Sequence, residues 1–183
     1  MVLSDQELWM EIGTGRLSFD PSISPEQVSP SAIDLRLGNN FTVFKEPKEG
    51  VTTILDPTKV DNIESIISGF ADETTVQDGD QFILKSKSFV LAYTKEYIRL
   101  PNYLAARIEG RSSLARIGIS IHQTAPTVHA TFEGQLRLEI LNNGMLDCAL
   151  TPGMRFCQLV IERLGSPAIS TLRSPFQQQR QDI

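Results

Sequence analysis

From Ile33 onward the apolar residues of this chain recur at every second position in short runs, each cut off by Gly, Pro, Asn or Asp. Period 2 is the repeat of a strand with one buried face, and runs this short leave little room for long helices. Ile33, Leu35 and Leu37 alternate with Asp34 and Arg36, and residues 82–84, 89–93, 98–100, 104–108, 135–141 and 156–163 read as further strands. The pattern predicts a mainly β fold, a barrel or a sandwich. One helix is expected before it. Ser4 can cap, Glu7 three residues later completes a capping box, Leu3 and Leu8 can staple, and Gly13 can end it. Leu8, Trp9 and Ile12 give that helix its apolar face. A second, short helix is expected around Ile63, Ile66, Ile67 and Phe70, inside an acidic surface insertion at residues 45–80 of what otherwise reads as a single domain, 1–183.

The insertion carries nine acidic residues against three basic ones, so the formal net charge of −5 is local and the rest of the chain is close to neutral. That balance argues against nucleic-acid binding, which rests on neutralising many phosphates with Lys and Arg. No apolar run approaches the roughly eighteen residues of a membrane span. The N-terminus shows no basic region followed by an apolar one, so a cytoplasmic location is the expectation. Cys148 and Cys157 make neither a disulfide framework nor a zinc set and are expected to be reduced and packed.

Two motifs can carry chemistry. Gly110-Arg111-Ser112-Ser113-Leu114-Ala115-Arg116-Ile117-Gly118 places two hydroxyls where they can cap a short helix between guanidinium groups. Backbone N–H groups, hydroxyls and Arg together suit a phosphorylated metabolite; an ordinary capped helix with solvated arginines is the alternative. In Gln135-Leu136-Arg137-Leu138-Glu139-Ile140 the leucines and Ile140 point one way and Gln135, Arg137 and Glu139 the other. One carboxylate beside one cation at a pocket edge can bind and shuttle protons, unless this is simply a solvated strand face. Asn142-Asn143-Gly144 is consistent with a hairpin turn. His122 and His129 show no metal spacing with the cysteines, and the His-x-Glu and Pro-Cys-x-x-Cys signature of zinc base deaminases is missing. A Ser112, His122 and Asp34 triad can be assembled on paper, but no nucleophile elbow surrounds either serine.

Taken together, Gly110 to Gly118, His122-Gln123-Thr124-Ala125, the Phe132-Glu133-Gly134 turn, Leu138-Glu139-Ile140, Thr151-Pro152-Gly153-Met154, Gly15-Arg16-Leu17-Ser18 and Ile33-Asp34-Leu35-Arg36-Leu37-Gly38 resemble the dCTP deaminase family in order and spacing. The resemblance implies a distorted β-barrel of the trimeric dUTPase/dCTP deaminase type, and a homotrimer with active sites between subunits. It implies hydrolysis of dCTP to dUTP and ammonia without zinc, with Mg²⁺ carried by the substrate triphosphate. By the same resemblance Glu139 is the general acid/base, Ala125 acts through backbone groups near base and water, and Ser112 and Arg116 complete the catalytic set. Arg111, Ser112, Ser113, Arg116, His129, Phe132, Arg137, Leu138 and Gln179 are the implied substrate contacts. No protein metal ligand, nucleic acid or membrane is expected.

Two departures matter. His129 stands where the family carries an acid that holds the deoxyribose 3′-hydroxyl and, in dUTPases and bifunctional relatives, activates the water for phosphate cleavage. The family's Lys-Tyr-x-x-Gln is reduced to Pro175, Phe176 and Gln179, with Leu172 in place of an upstream Tyr. The alternatives are therefore a dUTP diphosphatase or bifunctional enzyme, and a catalytically weakened nucleotide-binding protein of the same fold.

Overall fold

The computed structural model describes residues 1–46, 54, 56, 58 and 63–170. Helix α1 (Asp5–Gly13) begins at Ser4 as expected: Ser4 Oγ accepts the Glu7 N–H at 3.4 Å and the Glu7 carboxylate accepts the Ser4 N–H at 3.0 Å. Leu3 and Leu8, on either side of this box, are both buried. The apolar face differs from expectation at Trp9, which is 38% exposed. Glu11 takes the inward position instead, one turn from Leu8, where it accepts Tyr103 OH at 2.7 Å and Arg163 Nη2 at 2.9 Å. Burial pushes the Glu11 carboxyl up, but the Tyr103 and Arg163 bonds outweigh it and hold the group below the usual carboxylate range.

The strands follow as β1 (Ser18–Asp20), β2 (Val28–Ser29), β3 (Ala32–Phe44), then helix α2 (Ile63–Phe70), β4 (Ala71–Thr75), β5 (Phe82–Leu84), β6 (Phe89–Arg99) and β7 (Leu104–Gly110). Helix α3 (Ser112–Ala115), β8 (Ile119–Ser120), β9 (Thr127–Val128), β10 (Glu133–Asn142), β11 (Cys148–Leu150) and β12 (Arg155–Arg163) complete the order. One curled ten-stranded sheet runs β8-β10-β6-β3-β12-β7-β9, with β1 on β6 and β2 and β4 on β3; β5 and β11 form a separate pair. The fold is the expected mainly β, barrel-like one.

Strand β3 is the piece that bends the sheet. Its first half pairs with β12 and its second half with β6 and β4, and its register against β6 shifts between Leu37 and Phe41. Gly38, Asn39 and Asn40 form this irregularity, which lets the strand turn a barrel corner without stopping. A Cβ at Gly38 would lie 2.9 Å from the Tyr93 carbonyl oxygen, so a side chain there would push β6 away. Inside the curl sit Phe156 and the stacked pair Phe41 and Phe82, ring centroids 4.1 Å apart.

The Asn142-Asn143-Gly144 turn does not make a hairpin. Strand β10 lies between β6 and β8, while β11 leaves to pair with β5. The cause is the buried Asn142 side chain, which donates to the Leu84 and Leu146 carbonyls and accepts the Gly144 N–H. These bonds redirect the chain. Both cysteines are free thiols, and burial pushes each of them up, Cys157 most strongly. Among the described residues no helix is long and apolar enough to cross a membrane.

Candidate active site

Strand β10 divides its side chains as its alternation dictates. Leu138 and Ile140 are buried in the core and Arg137 and Glu139 stand on the opposite face, across from Tyr93 and Leu91 of β6, while a register shift between Gln135 and Arg137 leaves Gln135 and Leu136 both buried and both at the cavity. That face opens on a cavity of about 470 Å³ lined by Ala125, His129, Phe132, Arg137 and Glu139, all named from sequence. Leu91, Ile108 and Val128 supply its apolar side. Leu138 packs in the core and is not among the lining residues.

Glu139 is fixed at the cavity by the segment after β8. The Glu139 N–H donates to the Ile121 carbonyl at 3.2 Å, and its Oε2 accepts the Gln123 N–H at 2.9 Å. One carboxylate oxygen is thereby oriented and the other remains for a ligand or a water. At the same cavity, the turn from β9 to β10 presents His129 and Phe132, closed by a Phe132 N–H to His129 carbonyl bond of 3.2 Å. Thr131 within that turn has φ 66°, a strained conformation for a β-branched residue and one that collects at functional sites.

Arg137 is held more tightly than the sequence suggests. Its side chain is 14% exposed; Nη1 donates to both Glu64 oxygens at 2.6 Å, Nη2 reaches Thr42 Oγ1 at 3.4 Å, and the guanidinium lies 5.4 Å from the Tyr93 ring centroid. Burial pushes the Tyr93 phenol up; Arg137 pulls it down, while Glu64 and Glu73 push it further up. Glu64 belongs to α2, and Ile63 and Ile67 of that helix also line the cavity. The stretch 45–80 is thus not the surface insertion expected from sequence: α2 forms part of the wall of the site, and Ala71–Thr75 pairs with β3 as β4 of the main sheet. The helical spacing of its isoleucines was visible in sequence; that they face this cavity was not, because the partner of Glu64 is 73 positions away.

The phosphate candidates lie elsewhere. None of residues 111–116 lines the cavity. The N-cap of α3 is Arg111, with no side-chain cap, so neither serine caps the helix as expected. Arg111 instead donates to the Arg155 carbonyl at 2.9 Å and pairs with Asp34 at 3.5 Å. Asp34 also pairs with Arg155 and accepts from Gln158, so it does not orient His122 for a triad. Ser112, Ser113 and Arg116 are exposed. Gln179, Leu172, Pro175 and Phe176 fall outside the described residues. Among the described residues no three His, Cys, Asp or Glu side chains converge to hold a metal.

The sequence and the fold have counterparts. A family model described as dCTP deaminase-like matches residues 2–164. The chain is 40% identical over 167 residues to the "dCTP deaminase, dUMP-forming" of Methanobrevibacter smithii, covering 91% of this chain and 82% of that one. It is 42% identical over 168 residues to the protein of the same name in Methanothermobacter thermautotrophicus, covering 91% and 81%, and 40% identical over 169 residues to the "dCTP deaminase" of Natronomonas pharaonis, covering 92% and 83%. The crystal structure of 2′-deoxycytidine 5′-triphosphate deaminase from Agrobacterium tumefaciens shares the fold at a TM-score of 0.67 and 20% identity, over 90% of this chain and 48% of that one.

Proposed function

The chain belongs to the dCTP deaminase family, and from that premise we propose that it hydrolyses the 4-amino group of dCTP, with Glu139 as the group that moves the protons. The observation that carries this reading is the Glu139 carboxylate, fixed by the Gln123 N–H, at the wall of a cavity with an apolar side large enough for a base, while the second carboxylate there, Glu64, is paired with Arg137. Water loses one proton to Glu139 as its oxygen attacks C4 of cytosine, and Glu139 passes that proton to the ring nitrogen N3; the new C4 hydroxyl then gives its proton through Glu139 to the amine, which leaves as ammonia as the C4 carbonyl forms. One positioned carboxylate serves both transfers, and no zinc step is required. Leu91, Val128 and Phe132 cover the base and limit water beside it.

The names of the relatives favour a second reading of the product. "dUMP-forming" describes dCTP plus two waters giving dUMP, ammonia and pyrophosphate, whereas His129 in place of an acid favours release of dUTP. Incubation with a nucleotide panel and Mg²⁺, measuring ammonia and pyrophosphate separately, distinguishes them. Ammonia alone means dUTP is released, equal amounts mean dUMP, pyrophosphate from dUTP alone means a diphosphatase, and neither product with retained binding means a nucleotide-binding protein. Mg²⁺ would be held by the triphosphate oxygens, supplying charge neutralisation there.

The exposed Ser112, Ser113 and Arg116, away from the cavity of their own chain, support a homotrimer in which a neighbour's α3 completes each site. Exposed Ile117, Met145 and Leu146 lie beside that segment and would be covered by such an assembly. Light scattering at micromolar concentration is expected to give the mass of three or six chains, and the mass of one chain would contradict it. Arg116→Ala is expected to weaken Mg-dCTP binding by about 1.5–3 kcal/mol, the range for hydrogen bonds to charged groups, and dCMP binding less. Titration of both ligands checks this, and an equal loss would place Arg116 away from the outer phosphates.

A further inference from the structure

Arg137 and Glu139 are two positions apart on one strand face, about 7 Å between Cα atoms, so the guanidinium is long enough to reach the carboxylate. It does not do so. Nη1 is bonded to both oxygens of Glu64, the ring of Tyr93 lies beneath the guanidinium, and Nε is buried with no hydrogen-bond partner among the described residues. Without Glu64, the remaining carboxylates near Arg137 among the described residues are Glu139, open to the cavity, and Glu73, which accepts the Thr42 hydroxyl at 2.8 Å. His129, also at the cavity, offers no negative charge.

We propose that Glu64 is a positioning residue that holds the Arg137 guanidinium away from Glu139, keeping the carboxylate free to exchange protons, and that it thereby makes α2 part of the working site. The proposal rests on the deaminase reading above. None of the residues of α2 is buried; the ion pair and the apolar side chains Ile63 and Ile67 at the cavity help to seat the helix, whose C-terminal Phe70 carbonyl accepts the Lys45 N–H at 2.8 Å. An ion pair with a well-fixed guanidinium favours the ionised carboxylate and competes with substrate and water for its lone pairs. Pairing Arg137 with Glu64 directs that competition to a residue that does no chemistry.

Three variants test it: Glu64→Gln, Arg137→Gln and the double substitution, with ammonia release from dCTP measured for each beside wild type. Glu64→Gln is expected to lower kcat about tenfold with little change in KM, and to cost nothing further in the Arg137→Gln background, because its effect passes through Arg137. A crystal structure of Glu64→Gln is expected to place the guanidinium within about 4 Å of the Glu139 carboxylate, the limit of an ion pair. An equal loss of kcat in both backgrounds overturns the proposal, as does a guanidinium that stays beside residue 64. If wild type releases no ammonia, the deaminase reading fails, and the crystal structure still decides whether Glu64 keeps Arg137 from Glu139.

Discussion

Glu139→Gln is expected to fold, to bind dCTP, and to release ammonia at least about a hundredfold more slowly than wild type, the usual scale for a lost acid/base group. The amide oxygen still accepts the Gln123 N–H, so the loop after β8 stays in place. What the variant lacks is a group that takes a proton from water and returns it to the base. The measurement is single-turnover ammonia release beside dCTP affinity from calorimetry. Wild-type turnover in the variant would remove Glu139 from the chemistry, and lost affinity with lost folding would make it structural.

The second large effect is expected at Gly118, where φ is +90°. A Cβ there would lie 2.4 Å from the Gly144 nitrogen and 2.7 Å from its Cα, backbone atoms that have no rotamer to escape into. The Gly118 carbonyl also accepts the Asn143 N–H at 2.7 Å, so this contact ties the residues just after α3 to the end of β10. Backbone strain of about 1–3 kcal/mol adds to the clash. Gly118→Ala is therefore expected to cost at least about 3 kcal/mol, in the tail reserved for steric failures. Gly165 has open space where a Cβ would go, and Gly165→Ala is expected to stay within about 0.5 kcal/mol. Denaturant midpoints of the two variants check both, and a Gly118→Ala protein as stable as Gly165→Ala would mean that the turn yields.

What was legible in the sequence was set by near neighbours. The Ser4 and Glu7 box needs only one helical turn, and the two faces of β10 need only a strand, so both were readable, as was the short helix around Ile63 and Ile67. Trp9 was misplaced because Tyr103 and Arg163 reward burial of Glu11, and nothing near residue 9 announces that. The false hairpin after β10 has the same origin, since a turn sequence specifies a reversal but not the strand that receives it; Asn142 chooses by bonding to Leu84, 58 positions away. The alternation of Ile33, Leu35 and Leu37 shows only the first half of β3, because past Gly38 the register shift against β6 breaks the period. Glu64 was passed over for the most physical reason: a charge in an acidic stretch has no meaning until the fold supplies its Arg.

The absence of α3 from the lining of the cavity has a consequence for mixtures. If each pocket borrows its phosphate-binding segment from a neighbour, a chain carrying Glu139→Gln still lends an intact Arg116, and a chain carrying Arg116→Ala still offers an intact Glu139. Two preparations that are each impaired, unfolded together and refolded, would then contain hybrid particles in which some pockets are whole, and ammonia release would exceed the sum of the separate preparations. Self-sufficient chains would show no such complementation, because every pocket would keep the defect it was synthesised with.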